Sequence, residues 1–229
     1  MQPIYQSYRQ IQQFTADVAH ELRTPLAATQ ATVESALRFN SVEPETQDIL
    51  HAIERQNKRL SELVADLLLL ARMERQPLPI RQQCCLNDIV SDLVEELATL
   101  ALGASVELTA DINVDKPLIV VGNEEQLYRL ISNLIVNAIQ YTPTGGQVTV
   151  ILDQSDYHAV ISIQDTAKSE QSRIFERFYR VDSDRSRHSG GSGLGLAIAA
   201  VIVQAHAGSL QVQSELGKGS TFTIRLPVQ

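Results

Sequence analysis

His20, Glu21 and Thr24 stand in the run Phe14-Thr-Ala-Asp-Val-Ala-His-Glu-Leu-Arg-Thr-Pro-Leu26. An imidazole is a nitrogen nucleophile near neutral pH, and a neighbouring carboxylate can hold one tautomer by bonding the other ring nitrogen. At 100° per residue, Ile11, Phe14, Val18, Leu22, Leu26, Thr29 and Val33 share one stripe of a long helix. His20 falls off that stripe and is expected in solvent, with Thr24 one turn on. Pro25 lacks an N–H and crowds the carbonyl of Glu21, which predicts a bend just past His20. An isolated histidine is usually a satisfied surface or core residue; its exposed position, its carboxylate neighbour and the adjacent proline favour chemistry here.

A second set of residues lies far along the chain. Asn133 and Asn137 are four apart in an otherwise apolar helical pattern, so they share a face. Carboxamide oxygens are hard ligands suited to Mg²⁺ and its waters, although such a pair can equally cap or bridge a loop. Asp165 ends a predicted strand, where an acid caps a turn or accepts from an adenine amino group. Gly190-Gly-Ser-Gly-Leu-Gly195 leads directly into a helix, so backbone N–H groups can approach phosphate at a helix N terminus. The loop matches neither the Walker A pattern nor a dinucleotide fingerprint. Ahead of it, the stretch Arg180–Arg187 is polar and basic, as a flap over a triphosphate would be.

These sites need elements to carry them. The first helix is expected from about Tyr5 to Phe39 and a second from Pro44 to about Glu74, with Ile49, Ile53, Gln56, Leu60, Leu63, Leu67 and Leu70 as its apolar stripe. Together they make an antiparallel hairpin too small to cover two full stripes, so a second copy is expected to complete a four-helix bundle. Gln76-Pro-Leu-Pro79 ends the hairpin and marks the domain boundary, with residues 1–77 before it and 78–229 after it. Beyond it the pattern predicts a strand near Arg81–Cys85 and a helix Asn87–Leu102 capped by Asn87 or Asp88. Strands at Ser105–Ala110 and Leu118–Val121 and a helix Glu124–Gln140 come next. Strands Gln147–Leu152 and Ala159–Gln164 lead to a helix Gly193–Ala207 stopped by Gly208, and strands Ser209–Ser214 and Ser220–Leu226 close the chain. A mixed sheet with helices on one face is the economical packing.

Composition narrows the classes. The chain has 229 residues, is 44% hydrophobic and carries a net charge of −8. That acidity argues against a nucleic-acid partner. No apolar run reaches the roughly 18 residues of a membrane span, and the first residues do not read as a signal peptide, so a soluble, cytoplasmic chain is expected. Any membrane anchor would lie upstream. Cys84 and Cys85 are the only cysteines and read as small apolar residues in a reducing compartment.

In this order the motifs resemble the catalytic core of a bacterial two-component sensor histidine kinase, over essentially the whole chain. His20-Glu-Leu-Arg-Thr-Pro is similar to that family's phosphoacceptor box, Asn133-Leu-Ile-Val-Asn-Ala to its asparagine box, Phe175-Glu-Arg-Phe178 to its phenylalanine box, and Gly191-Ser-Gly-Leu-Gly-Leu to its second glycine box. Gly217–Phe222 resembles the last glycine segment. The resemblance implies an α+β protein: a helical hairpin dimerising into a four-helix bundle, then an α/β sandwich ATP-binding domain of the histidine-kinase/Hsp90-like type. It implies that His20 takes the γ-phosphoryl group of ATP and passes it to an aspartate of a response-regulator receiver domain. Glu21 would orient or deprotonate the ring, and Thr24 would position water for dephosphorylating the regulator. Asn133 and Asn137 would hold Mg²⁺ and phosphates, Tyr141 would stack near the base, and Asp165 would read adenine. Arg180, Gly191, Gly193, Leu194, Gly195 and Thr221 would complete the nucleotide pocket.

Two departures set up an alternative. After Asp165 the family usually has Asp-x-Gly-x-Gly-Ile, whereas Asp165-Thr-Ala-Lys-Ser-Glu-Gln-Ser-Arg-Ile174 has no glycine and looks about four residues short. Gln140 stands where many relatives have a basic residue. The alternative is an impaired nucleotide binder or scaffold that docks or dephosphorylates a regulator. An ATPase of the chaperone or topoisomerase kind is disfavoured, because those use a catalytic Glu where Asn133 stands and lack the hairpin.

Overall fold

The computed structural model describes residues 18, 22–38, 44–73, 82–166, 194–215 and 219–228. The chain forms two compact units, Met1–Gln76 and Pro77–Gln229.

In the first unit, helix α1 covers 22–38 and continues through Pro25; helix α2 is Pro44–Met73, with proline in the first position as its fixed φ allows. The expected stripes split in two. Toward each other the helices turn Leu26, Gln30 and Val33 on α1, and Asn57, Val64 and Leu68 on α2; Leu26 packs on the Val64–Leu68 cluster. Val18, Leu22, Ile49, Ile53 and Leu60 are exposed by 38–56%. Gln56, expected inside, is exposed, and its neighbour Asn57 is buried instead. The reason is that α2 carries two apolar stripes side by side, and a single hairpin covers only one.

The second unit opens with β1 (Gln82–Cys85) and α3 (Leu86–Gly103), then β2 (Glu107–Ile112), β3 (Ile119–Gly122) and α4 (Glu124–Tyr141). A hairpin of β4 (Gln147–Ser155) and β5 (His158–Asp165) comes next; α5 (Gly195–Ala205), β6 (Ser209–Glu215) and β7 (Gly219–Pro227) complete the unit. β1 pairs with β3; the main sheet runs β2-β4-β5-β7-β6, parallel only between β2 and β4. Alternation sorts its faces. The row Val150, Ile163 and Phe222 lies in register and is fully buried, as is the row Leu152, Ile161 and Ile224. Those rows face α3 over β2 and β4, α4 across β4 and β5, and α5 over β6. The other face carries Thr149, Ser162, Gln164, Thr221 and Thr223, none of them buried. This is the one-sided mixed sheet that the pattern predicts.

Local chemistry moves several boundaries. α3 starts one residue early, with Cys85 at its cap and no side-chain cap bond; Asn87, expected to cap, accepts instead from the Leu118 N–H at 2.9 Å. Ser105, expected in a strand, has φ 56° and ends α3: its N–H reaches Leu102 O and that of Val106 reaches Ala101 O. The same closing pattern recurs after α5, where Ala207 has φ 56° and Gly208 N–H bonds Val203 O. Gly208 therefore does not supply the left-handed residue. It is a glycine because a Cβ there would come within 2.4 Å of Arg225 O on β7. The β4–β5 turn is tighter than expected, two residues with Asp156 at φ 53°.

Asn123 caps α4 by accepting from Gln126 N–H. Its own N–H donates to Nε2 of buried His206, whose Nδ1 donates to Ile202 O at 2.8 Å. This neutral ring ties the end of α5 to the start of α4, and Gly122 leaves it room, since a Cβ there would meet the ring at 2.4 Å. Tyr128 on α4 donates to Glu96 on α3, which pushes the phenol up to about 12. Cys84 and Cys85 are free thiols; Cys84 is buried, and burial followed by the charge of Glu124 raises its pKa.

Candidate nucleotide site on the helical face of the sheet

Asn133, Asn137 and Tyr141 step by four along α4 and so lie on one side of it, bordering the fully buried Leu130 and Leu134. Two of these positions are amides in a helix that otherwise buries aliphatics, so their polar ends need partners. Asn133 Nδ2 donates to Gly195 O at 3.2 Å. Asn137 is half-buried, and its side chain has no hydrogen bond to a described residue. Tyr141 is the last residue of α4 and is 37% exposed.

The start of α5 faces Asn133. A Cβ at Gly195 would stand 3.7–3.9 Å from the Asn133 side chain, in the space before the amide. Leu194 is buried at the cap position of α5 and makes no side-chain cap hydrogen bond. The N terminus of that helix, where the dipole favours negative charge, therefore opens beside Asn133.

The far end of α4 meets the end of β5. A Cβ on Gly146 would collide with Thr142 on one side, at 2.4 Å, and with Thr166 on the other, at 2.6 Å. Thr166 and Gln147 exchange two bonds, Gln147 N–H to Thr166 Oγ1 and Thr166 N–H to Gln147 O. Asp165 beside them is only 6% exposed, and its Oδ1 accepts from the Ser220 N–H at 3.0 Å. A carboxylate so buried must be hydrogen-bonded.

The structure therefore gathers Asn133, Asn137, Tyr141, Asp165, Leu194 and Gly195 around α4 on the helical face. Thr221 lies on the opposite face of its strand from Ser220. It pairs with Gln164 and Gln213 and shares the open face with Thr223 and exposed Arg225. It lines a polar basin of about 550 Å³ with Thr149 and Gln164 that also reaches Asp165, Gly219 and Ser220. Ser220, 2% exposed and paired with Asp165, is the residue of that strand on the site's side. The sequence held the signal: Phe222 must be buried, and period two puts Ser220 on its face. Gly219 is equally constrained, with φ 112° and a would-be Cβ 1.9 Å from Asp165 O. Thr24 on α1 is exposed as expected. His20, Glu21, Arg180, Gly191 and Gly193 lie outside the described residues.

The donor set fits a nucleotide with a hard cation. Among the described residues no three His, Cys, Asp or Glu side chains converge to hold a metal. A cation here would take amide oxygens together with phosphate oxygens and water, as Mg²⁺ does.

Both parts of the chain are similar to known proteins. Residues 10–76 match the model of the His Kinase A (phospho-acceptor) domain. Residues 122–229 match that of the histidine kinase-, DNA gyrase B- and HSP90-like ATPases. The sensor histidine kinase RppB of Synechocystis is 56% identical over 234 residues, covering 100% of this chain and 51% of RppB. The sensor-like histidine kinase SenX3 of Mycolicibacterium smegmatis is 35% identical over 220 residues, 93% of this chain and 56% of that protein. The chain thus spans about half the length of these relatives. Among solved structures, full-length ShkA in complex with AMPPNP superposes with a TM-score of 0.78 at 25% identity, over 94% of this chain and 46% of ShkA. Among the described residues no helix is long and apolar enough to cross a membrane. With a phospho-acceptor domain ahead of an ATPase domain, the chain belongs to the sensor histidine kinases.

Proposed function

We propose that residues 1–77 are a dimerising phosphotransfer hairpin and residues 78–229 an ATP-binding catalytic domain. Together they move the γ-phosphoryl group of ATP to His20 and then to an aspartate of a response-regulator receiver domain. The observation that carries this reading is the asparagine pair: one amide is tied to Gly195 O, and the other is half-buried, one turn along, without a bond to a described residue.

ATP with Mg²⁺ supplies the phosphoryl group and the charge that offsets it; the chain's part is alignment and neutralisation, which is most of what phosphoryl transfer requires. The amide oxygens of Asn133 and Asn137 hold the cation side of the triphosphate. The N–H groups opening α5 would face its oxygens, and Asp165 would accept from the adenine amino group. Ser220 N–H keeps that carboxylate oriented. The His20 ring would offer a lone pair to the γ-phosphorus as its bond to the bridging oxygen breaks and ADP leaves, while Glu21 takes or holds the proton on the other nitrogen. Thr24, exposed one turn on, orients the water that releases phosphate from the regulator. The exposed stripe of Leu22, Ile49, Ile53 and Leu60 supports a homodimer through the hairpin.

Incubation with γ-labelled ATP and Mg²⁺ tests the reading. The wild-type chain is expected to take up acid-labile label and His20→Gln none; label retained by His20→Gln, or none on the wild type, refutes the transfer to His20. A second reading has its own support. The segment after Asp165 lacks the family's glycines, and the alignment with RppB runs over 234 positions against 229 in this chain, so RppB carries residues absent here. On that reading nucleotide binds weakly and the chain chiefly docks or dephosphorylates its regulator. Calorimetric titration with ATP distinguishes the two, because micromolar affinity removes the second.

A further inference from the structure

Among the described residues of the hairpin Asn57 is the polar residue that is buried, 4% exposed. Leu50, Asn57 and Val64 are seven apart on α2, the same position of successive heptads, with Leu68 four further on. Both protons of the Asn57 amide are directed at α1: one reaches Leu26 O at 2.9 Å, the other Gln30 Oε1 at 3.0 Å. Gln30 in turn donates to Glu34 at 2.8 Å. Leu, Val and Ala offer interchangeable surfaces, so an aliphatic hairpin slides by a turn or a heptad at little cost. An amide whose donors must find one carbonyl and one side-chain oxygen does not. A buried polar group at such a position lowers stability and fixes register.

We infer that Asn57 is a positioning residue that locks α2 in one register against the stretch of α1 directly after Pro25. Leu26, which it grips, is six residues from His20 in sequence. On the phosphotransfer function proposed above, the lock sets where the His20 segment is presented; the register itself requires no nucleotide and is measured separately.

Spin labels on Ser35→Cys and Arg55→Cys, both exposed, in a Cys84→Ser, Cys85→Ser background and diluted with unlabelled chain, report the α1–α2 distance by pulsed EPR. The chain with Asn57 is expected to give one distance. Asn57→Leu is expected to melt no lower and to add a population displaced by about one helical turn, roughly 5 Å. Asn57→Gln, which keeps an amide donor, is expected to restore the single distance. A single unchanged distance in Asn57→Leu overturns the proposal, as does a lower melting point with that distance intact. In the labelling assay Asn57→Leu is expected to slow phosphorylation several-fold with nucleotide affinity unchanged; an unchanged rate beside a shifted register overturns the link to His20. Failure of the wild type to take label counts against the proposed function and leaves the distance measurement to decide the register.

Discussion

The two units bury their side chains in opposite ways. In the sheet unit Leu86, Leu93, Leu127, Ile163 and Phe222 are fully buried, and the buried polar residues described there, Thr142, Asp165, His206 and Ser220, all have hydrogen bonds. The hairpin keeps Val33, Val64 and Leu68 inside and spends one interior position on an amide. It leaves Ile49 56% and Leu60 49% exposed. A side chain of that size gains about 1.5–3 kcal/mol from full burial, so the hairpin forgoes several such contributions that the sheet unit collects. The sheet unit covers its main apolar rows within one chain. The hairpin leaves a stripe uncovered, as the homodimer proposed above requires.

The comparison breaks most directly at Phe222. Its ring lies in the central row of the sheet, between Ile163 and Val212. Phe222→Ala is expected to cost about 3–5 kcal/mol by lost burial and a cavity, read as a lower denaturation midpoint for the sheet unit. Ile53→Ala, at a side chain 41% exposed, should change the melting of a dilute monomeric chain by no more than about 0.5 kcal/mol. Equal costs at the two positions would mean that the hairpin stripe is already covered within one chain.

Charges on the free stripe sharpen the point. Ile53→Asp with Leu60→Asp is expected to halve the mass seen by sedimentation at micromolar concentration. Each carboxylate would have to be desolvated in any interface formed there. The melting of the sheet unit should not move. A variant that sediments like the wild type would place the dimer interface elsewhere.

How much of this was legible in the sequence follows the same division. Sheet, helices and their order were readable because each buries one side only, so period two and period 3.6 report the core. The hairpin misled for the opposite reason: α2 has two apolar stripes, and periodicity selected the outer one, with Gln56, over the inner one, with Asn57. Helix ends were misplaced where a backbone device replaced the expected residue, as with Ser105 and Ala207 in left-handed turns that favour glycine. The asparagine pair was legible as a shared helix face from its spacing of four, and the parity that separates Ser220 from Thr221 was legible from the buried Phe222 two residues on. Which stripe meets which helix is set by tertiary packing, and no window of one helix contains it.

The sheet unit, its core saturated, leaves improvement to the backbone. Ala207 is held at φ 56° because the closing turn of α5 needs a left-handed residue between His206 and Gly208. That turn is fixed by two bonds, Ala207 N–H to Gln204 O at 3.0 Å and Gly208 N–H to Val203 O at 2.9 Å. An L-residue with a Cβ pays about 1–2 kcal/mol in that region, and glycine gives part of this back through the entropy of the unfolded chain. Ala207 is exposed, so its methyl contributes little packing. Ala207→Gly is therefore expected to stabilise the sheet unit by about 0.5–1 kcal/mol, a rise of a few degrees in its melting temperature. A fall instead would mean that the methyl contributes packing worth more than the backbone strain it causes.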